Sequence, residues 1–203
     1  MKIAPAILAG LLSLLLVSCG PAVQLPSMYL IELSPPPARI SSSLSRDIAR
    51  MGLIRVVGGF SGTSLTYRRD DVALVVDPYN SFAADPASMF GSRIAAWLDG
   101  AGPFRSVLQP GTGQATRYVL EASIIELYGD FRPDLPPAAV LTIQFILLDE
   151  GATRITTAFE RTYTRRVPLK QAAPAVLVRG WNAALTEILS ALVQDLASGR
   201  RAE

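Results

Sequence analysis

The strongest constraint on the fold is a change of hydrophobic period late in the chain. Three segments read as strands, two of them alternating at period two. Arg117–Leu127 puts Tyr118, Leu120, Ala122 and Ile124 on one face, and Val140–Leu148 is apolar on nearly both faces. Arg154–Arg165 puts Ile155, Thr157 and Phe159 inward, with Thr156, Glu160 and Thr162 outward. Asp149-Glu150-Gly151 is hairpin chemistry, so three sequential strands predict an antiparallel meander. From Pro174 to Ala197 the period becomes helical. Leu177, Trp181, Leu185, Ile188, Leu192 and Leu196 make one wide stripe, and Asn182, Glu187, Gln194 and Asp195 make a polar face. A meander followed by such a helix has one economical solution, which is to bury the stripe on one face of the sheet.

The first half repeats this plan more loosely. Met28–Leu33 reads as a strand with Tyr29, Ile31 and Leu33 on one face, and Leu53–Val57 as a second, ended by Gly58-Gly59. Leu65–Arg68 and Val72–Val76 flank a tight polar turn, Arg69-Asp70-Asp71, and Asp77-Pro78-Tyr79-Asn80 closes the unit with turn chemistry. Asp85-Pro86 starts a helix with Phe90, Ile94, Trp97 and Leu98 at helical spacing; Gly100 and Gly102-Pro103 stop it, and Phe104–Leu108 is a short strand. The stretch around Pro35-Pro36-Pro37 reads as tether-like, and Ser41–Arg50, with Ser41-Ser42-Ser43, as a flexible loop. The chain has 203 residues, half of them hydrophobic, and two tiny domains would each have a poor core. The predicted fold is therefore α+β: a mixed, largely antiparallel sheet with two amphipathic helices packed on it, in one domain spanning 28–203.

The N-terminus carries an address. One cation (Lys2) precedes an apolar run from Ile3 to Val17 that is about fifteen residues long, short of the roughly twenty needed to span a bilayer. The run closes on Leu16-Val17-Ser18-Cys19, which resembles a bacterial lipobox, and Cys19 is the only cysteine. The expected organisation is a lipoprotein signal peptide over 1–18, lipidation at Cys19 and a tether over 19–27. Gly20, in place of aspartate, favours the outer membrane, with the domain on its periplasmic face. Several acyl chains, palmitate among them, anchor far more firmly than one.

Composition removes most chemistry. With no histidine and one cysteine there is no Ser-His or Cys-His triad, and no thiolate zinc site or disulfide within the chain. A net charge of +2 leaves no nucleic-acid footprint. Asp70-Asp71 is a carboxylate pair, but adjacent turn residues point apart. Gly58-Gly59-Phe60-Ser61-Gly62 lacks the lysine and Ser/Thr of a phosphate loop. Arg161 and Arg165 share one strand face and Arg154 and Arg166 the other; they suit either lipid headgroups or a solvated, charge-guarded edge. No catalytic residue, cofactor or metal site is predicted. Tyr79, Phe82, Phe131 and Leu135 are the candidate contacts for a partner or a lipid. Phe131 and Leu135 lie in the proline-stiffened stretch Tyr128–Pro137; for all four residues, packing back onto the core is the open alternative.

The order of Tyr67-Arg68, the apolar Val72–Val76, Tyr79-Asn80-Ser81-Phe82, Pro86, the helix Phe90–Leu98 and the strand Phe104–Leu108 resembles the ABC-type transport auxiliary lipoprotein family, the PqiC-like proteins. Lipobox, length and the long C-terminal helix agree. One departure is Phe82, where the family typically has tryptophan. The resemblance implies a membrane-anchored accessory of a lipid transporter, docking to a periplasmic MCE-domain protein and its ABC permease complex and contributing to envelope integrity. It leaves room for phospholipid contact and homo-oligomers. The alternative is a structural outer-membrane lipoprotein serving as assembly factor for another envelope machine.

Overall fold

The computed structural model describes residues 25–151 and 153–199, so the expected signal segment and Cys19 lie outside the described residues. The elements are β1 (Ser27–Tyr29), β2 (Ile48–Val56), β3 (Ser64–Arg68), β4 (Leu74–Phe82), α1 (Pro86–Ala101), β5 (Ser106–Leu108), β6 (Tyr118–Asp130), β7 (Ala138–Asp149), β8 (Thr156–Pro168) and α2 (Pro174–Ala197). All eight strands join one sheet, and β6 is its hub. One edge of β6 pairs with antiparallel β7, which carries antiparallel β8. Along the other edge β2 and β3 run parallel to β6 in tandem, β2 against Tyr118–Ile124 and β3 against Gly129–Asp130. Antiparallel β4 and then parallel β1 extend the sheet beyond β3, and β5 pairs parallel to β2. The fold is thus α+β as expected. Its longest ladders are antiparallel and its parallel pairings are short.

Both helices pack on one face. Asp85 caps α1 by accepting a hydrogen bond from Ser88 N at 2.8 Å, and Gly102, at φ +80°, closes it in a left-handed turn. The α2 stripe from Leu177 to Leu196 is buried, and Trp181 Nε1 donates to Val140 O at 3.1 Å. Gly180 allows the close approach of α2 to β7, because a Cβ there would stand 2.6 Å from Ala139 Cβ.

Local features of the fold depart from the expected boundaries. β1 ends at Tyr29 because the chain leaves the sheet to cross the helices. Ile31 is fully buried there, Arg93 Nε donates to Ile31 O and Trp97 Nε1 to Ser34 O. Beyond the prolines, Arg39 donates to the carbonyls of Asp99 and Gly100 at the end of α1. The proline segment is therefore a pinned strap. The serine loop is pinned as well: Ser42 Oγ donates to Pro103 O and Ser45 Oγ to Gly102 O. The second strand starts at Ile48, five residues before the apolar run, because Ala49 and Met51 reach the core while Arg50 pairs with Glu150.

Two bulges reset the strand faces. One between Ile124 and Glu126 brings Leu127 onto the face held by Ile124. The other, at Ala158, turns Thr157 away from the face of Phe159, and Ile155 is exposed. Asp195, expected on the solvated face of α2, is 9% exposed and accepts hydrogen bonds from Tyr163 Oη and Arg161.

Candidate docking surface

Two polar clusters position the segments that carry the candidate contact residues. The first is built on Asp77. The Asp77-Pro78-Tyr79-Asn80 turn interrupts β4 without ending it: β4 pairs through Val76, loops out, and pairs again from Ser81. Asp77 Oδ1 accepts from the amides of Tyr79 (2.8 Å) and Asn80 (2.9 Å), and Oδ2 accepts from Tyr67 Oη (2.5 Å) and Asn80 Nδ2 (2.9 Å). Tyr29 Oη donates to Asn80 Oδ1 and ties in β1. Burial works against the charge of Asp77, but the phenol and the amides outweigh it and hold the carboxyl below its usual range. Burial, then the bond to Asp77, pushes the Tyr67 phenol far above its ordinary value.

The second cluster is built on Asp130, which is fully buried. Arg132 makes a forked contact to it, Nε to Oδ1 at 3.0 Å and Nη2 to Oδ2 at 2.8 Å, and Arg166 adds a second guanidinium. Arg132 Nη1 also reaches Asp71 at 2.8 Å. The Arg132 fork, and after it Arg166, hold the Asp130 carboxyl far below the usual range despite its burial. Arg166 Nη2 donates to Pro136 O, so the cluster clamps both ends of the segment between β6 and β7.

Tyr67 joins the two clusters. Its ring stacks on Phe131, with centroids 5.0 Å apart, while its hydroxyl holds Asp77. Phe131 is thereby half-buried against the core, and Leu135, four residues on, is 41% exposed. Tyr79 is 46% exposed on the looped-out part of β4. Phe82 is different: it is 3% exposed and lies between Trp181 and Phe90, with centroids at 5.5 and 6.4 Å. Its ring fills the core beneath β4, which corrects the expectation of a surface contact. The surface set is therefore Tyr79 and Leu135, with Phe131 as the support of the loop. Sequence reading misses Asp77, Asp130 and Arg132 as site residues, and Arg166, weighed there for headgroups or a guarded edge, is committed to Asp130 instead. The local signals were Asp-Pro in a turn and Asp-x-Arg at the end of a strand; Arg166 has no local signal.

Most of the remaining chemical candidates are engaged in structure, while Arg154 is exposed. Asp70 Oδ1 accepts from the amides of Val72 and Ala73, which closes the β3–β4 turn. Arg161 bonds Asp195 and Arg165 pairs with Glu187, both on α2. Gly58–Phe60 forms a single 3₁₀ turn whose Phe60 ring stacks on Tyr128. A groove of about 640 Å³ opens at the end of the sheet, between Leu44, Tyr118, Phe159 and Leu196, beside Arg117 and Asp149. Those two charges pair with each other at 2.9 Å.

The two helices thus lie on one face of the sheet, and Asp77 and Asp130 are committed to holding loops. The chain belongs to the ABC-type transport auxiliary lipoprotein component family, whose model matches residues 29–193. A crystal structure of a DUF330-family protein from Xanthomonas campestris is similar in fold: TM-score 0.69 at 17% identity, covering 87% of this chain and 94% of that one. An uncharacterized protein shares the fold at TM-score 0.65 and 15% identity, over 85% of this chain and 99% of that one. A hypothetical protein from Chlamydia trachomatis gives 0.50 and 11%, over 75% and 99%. No curated protein matches the chain. The family is described as an auxiliary component of ABC-type transport.

Proposed function

We propose that this protein is a docking lipoprotein of an MCE-type ABC lipid transport system, anchored through acylated Cys19 to the periplasmic face of the outer membrane. The observation that carries the reading is family membership over residues 29–193, nearly all of the described chain. The geometry is consistent with it. The segment Phe131–Pro137 is held rigid by Asp130, Arg132, Arg166 and the Tyr67–Phe131 stack, so Leu135 is offered with little ordering entropy left to lose. The partner is the periplasmic MCE-domain protein and, through it, the permease complex.

The test is affinity purification of the intact acylated protein in mild detergent, with mass spectrometry of what accompanies it. Recovery of an MCE-domain protein, lost in Leu135→Asp, is the expected result. Recovery of a cell-wall synthase or an outer-membrane assembly protein in its place would point to the structural role instead.

A further inference from the structure

The exposed large apolar side chains are concentrated on one edge. Among the described residues there are thirteen, and eight lie on β1, β4 and the residues leading into them, including Leu25, Met28, Leu30, Val76 and Tyr79. Over residues 25–30 and 72–80 the one charged side chain is Asp77, which is turned inward to Tyr67. Sheet edges in water are normally guarded by charge; this one presents none. Its backbone is also partly open: β1 covers β4 at Asn80–Phe82, while Leu74–Val76 has a partner strand only on the β3 side among the described residues.

The position of the chain's entry identifies what meets this edge. Leu25 lies six residues after Cys19, a reach of about 20 Å at full extension. An anchor at Cys19 therefore holds β1 and its neighbour β4 within that distance of the bilayer surface. Acyl-chain hydrocarbon would leave the open edge groups of β4 unsatisfied, whereas the hydrated headgroup layer satisfies them and accepts tyrosine, methionine and leucine. We propose that the β1–β4 edge is a second, non-covalent contact with the membrane, lying in the headgroup layer with Met28, Leu30, Val76 and Tyr79 against the lipid. This rests on the reading that Cys19 is acylated. The two contacts act together, since the tether keeps the edge at high effective concentration next to the lipid. They also fix an orientation, with β8, the opposite edge of the sheet, directed away from the bilayer.

The experiment uses the full acylated chain in phosphatidylethanolamine–phosphatidylglycerol vesicles. Single cysteines at Met28→Cys, Val76→Cys and, as a control on β8, Thr162→Cys carry an environment-sensitive fluorophore. Co-sedimentation reads the anchor; quenching by iodide and by nitroxide-labelled lipid reads the edge. The expected result is blue-shifted emission at 28 and 76, quenched by the lipid probe and protected from iodide, with the reverse at 162. Two results overturn the proposal while leaving the anchor intact: iodide access at all three positions in sedimenting protein, or shielding of 28 and 76 from both quenchers, which would assign the edge to a protein cover. Protein that fails to sediment overturns the anchor itself, and the contact that rests on it.

Discussion

Asp130 shows what a buried charge does in this molecule. A lone carboxylate in the core would be expelled, and this one stays because two guanidiniums surround it. Asp130→Asn leaves Arg132 and Arg166 facing a neutral amide; both guanidiniums reach solvent, so the loss is that of charge-assisted hydrogen bonds, about 1.5–3 kcal/mol. Urea denaturation at neutral pH should read that loss. The variant should also flatten the acid limb. The folded carboxyl titrates below its unfolded value, so its contribution is full above about pH 4 and disappears as pH falls further. Tyr67 behaves in the opposite sense. Its phenol is raised in the fold, so its contribution is full below about pH 10 and is lost as pH rises through the folded value. Tyr67→Phe keeps the stack on Phe131 and removes the bond to Asp77, at a cost of about 1–3 kcal/mol. Its unfolding midpoint should fall less than wild type between neutral and strongly alkaline pH.

Among the elements, α2 depends most on its contact with the sheet. Its stripe is continuous, yet its N-terminus has no side-chain cap, so packing rather than capping holds it. Gly180 is the limiting point of that packing. Gly180→Ala places a methyl 2.6 Å from Ala139 Cβ and 2.7 Å from Leu169 Cδ2; the leucine can turn aside, but the Ala139 Cβ moves only with the β7 backbone. The gain in helix propensity, about 1 kcal/mol, is outweighed by an overpacking cost of about 1–3 kcal/mol. Thermal unfolding of the variant should show a net loss of stability; an increase would mean that α2 sits farther from β7 than described. At the start of α1, by contrast, Asp85 and Pro86 do the work locally, which is why that boundary was legible from the sequence.

For the whole molecule, the absence of histidine has a consequence for solution behaviour. No side chain described here has an ordinary pKa between the carboxylates and the tyrosines, so folding stability should form a plateau from about pH 5 to 9. Denaturation midpoints across that range should agree. A step near neutrality would reveal a titrating group in a contact that the described residues do not contain. The buried carboxylates and phenols Asp77, Asp130, Asp195, Tyr67 and Tyr163 are satisfied internally, and the unguarded edge of the sheet is apolar.

What the sequence determined by itself was whatever depends on near neighbours. The strand-length apolar patterns specified β6 and β7, the heptad-like stripe specified α2 from Pro174 to Ala197, and cap residues specified both ends of α1. The pattern around Tyr67-Arg68 pointed to the family. Only the tertiary structure decided which strands share the edge of β6, because pairing joins residues far apart in the chain and parallel register leaves no local mark. It also decided where the bulges at Ile125 and Ala158 reverse a face, and that Phe82 faces the helices while Tyr79 faces out. Asp77, Asp130 and Asp195 read as surface polar residues in a one-dimensional pattern. They are buried because Tyr67, Arg166 and Tyr163 arrive from other strands to satisfy them, and only the folded chain brings those partners within hydrogen-bond distance.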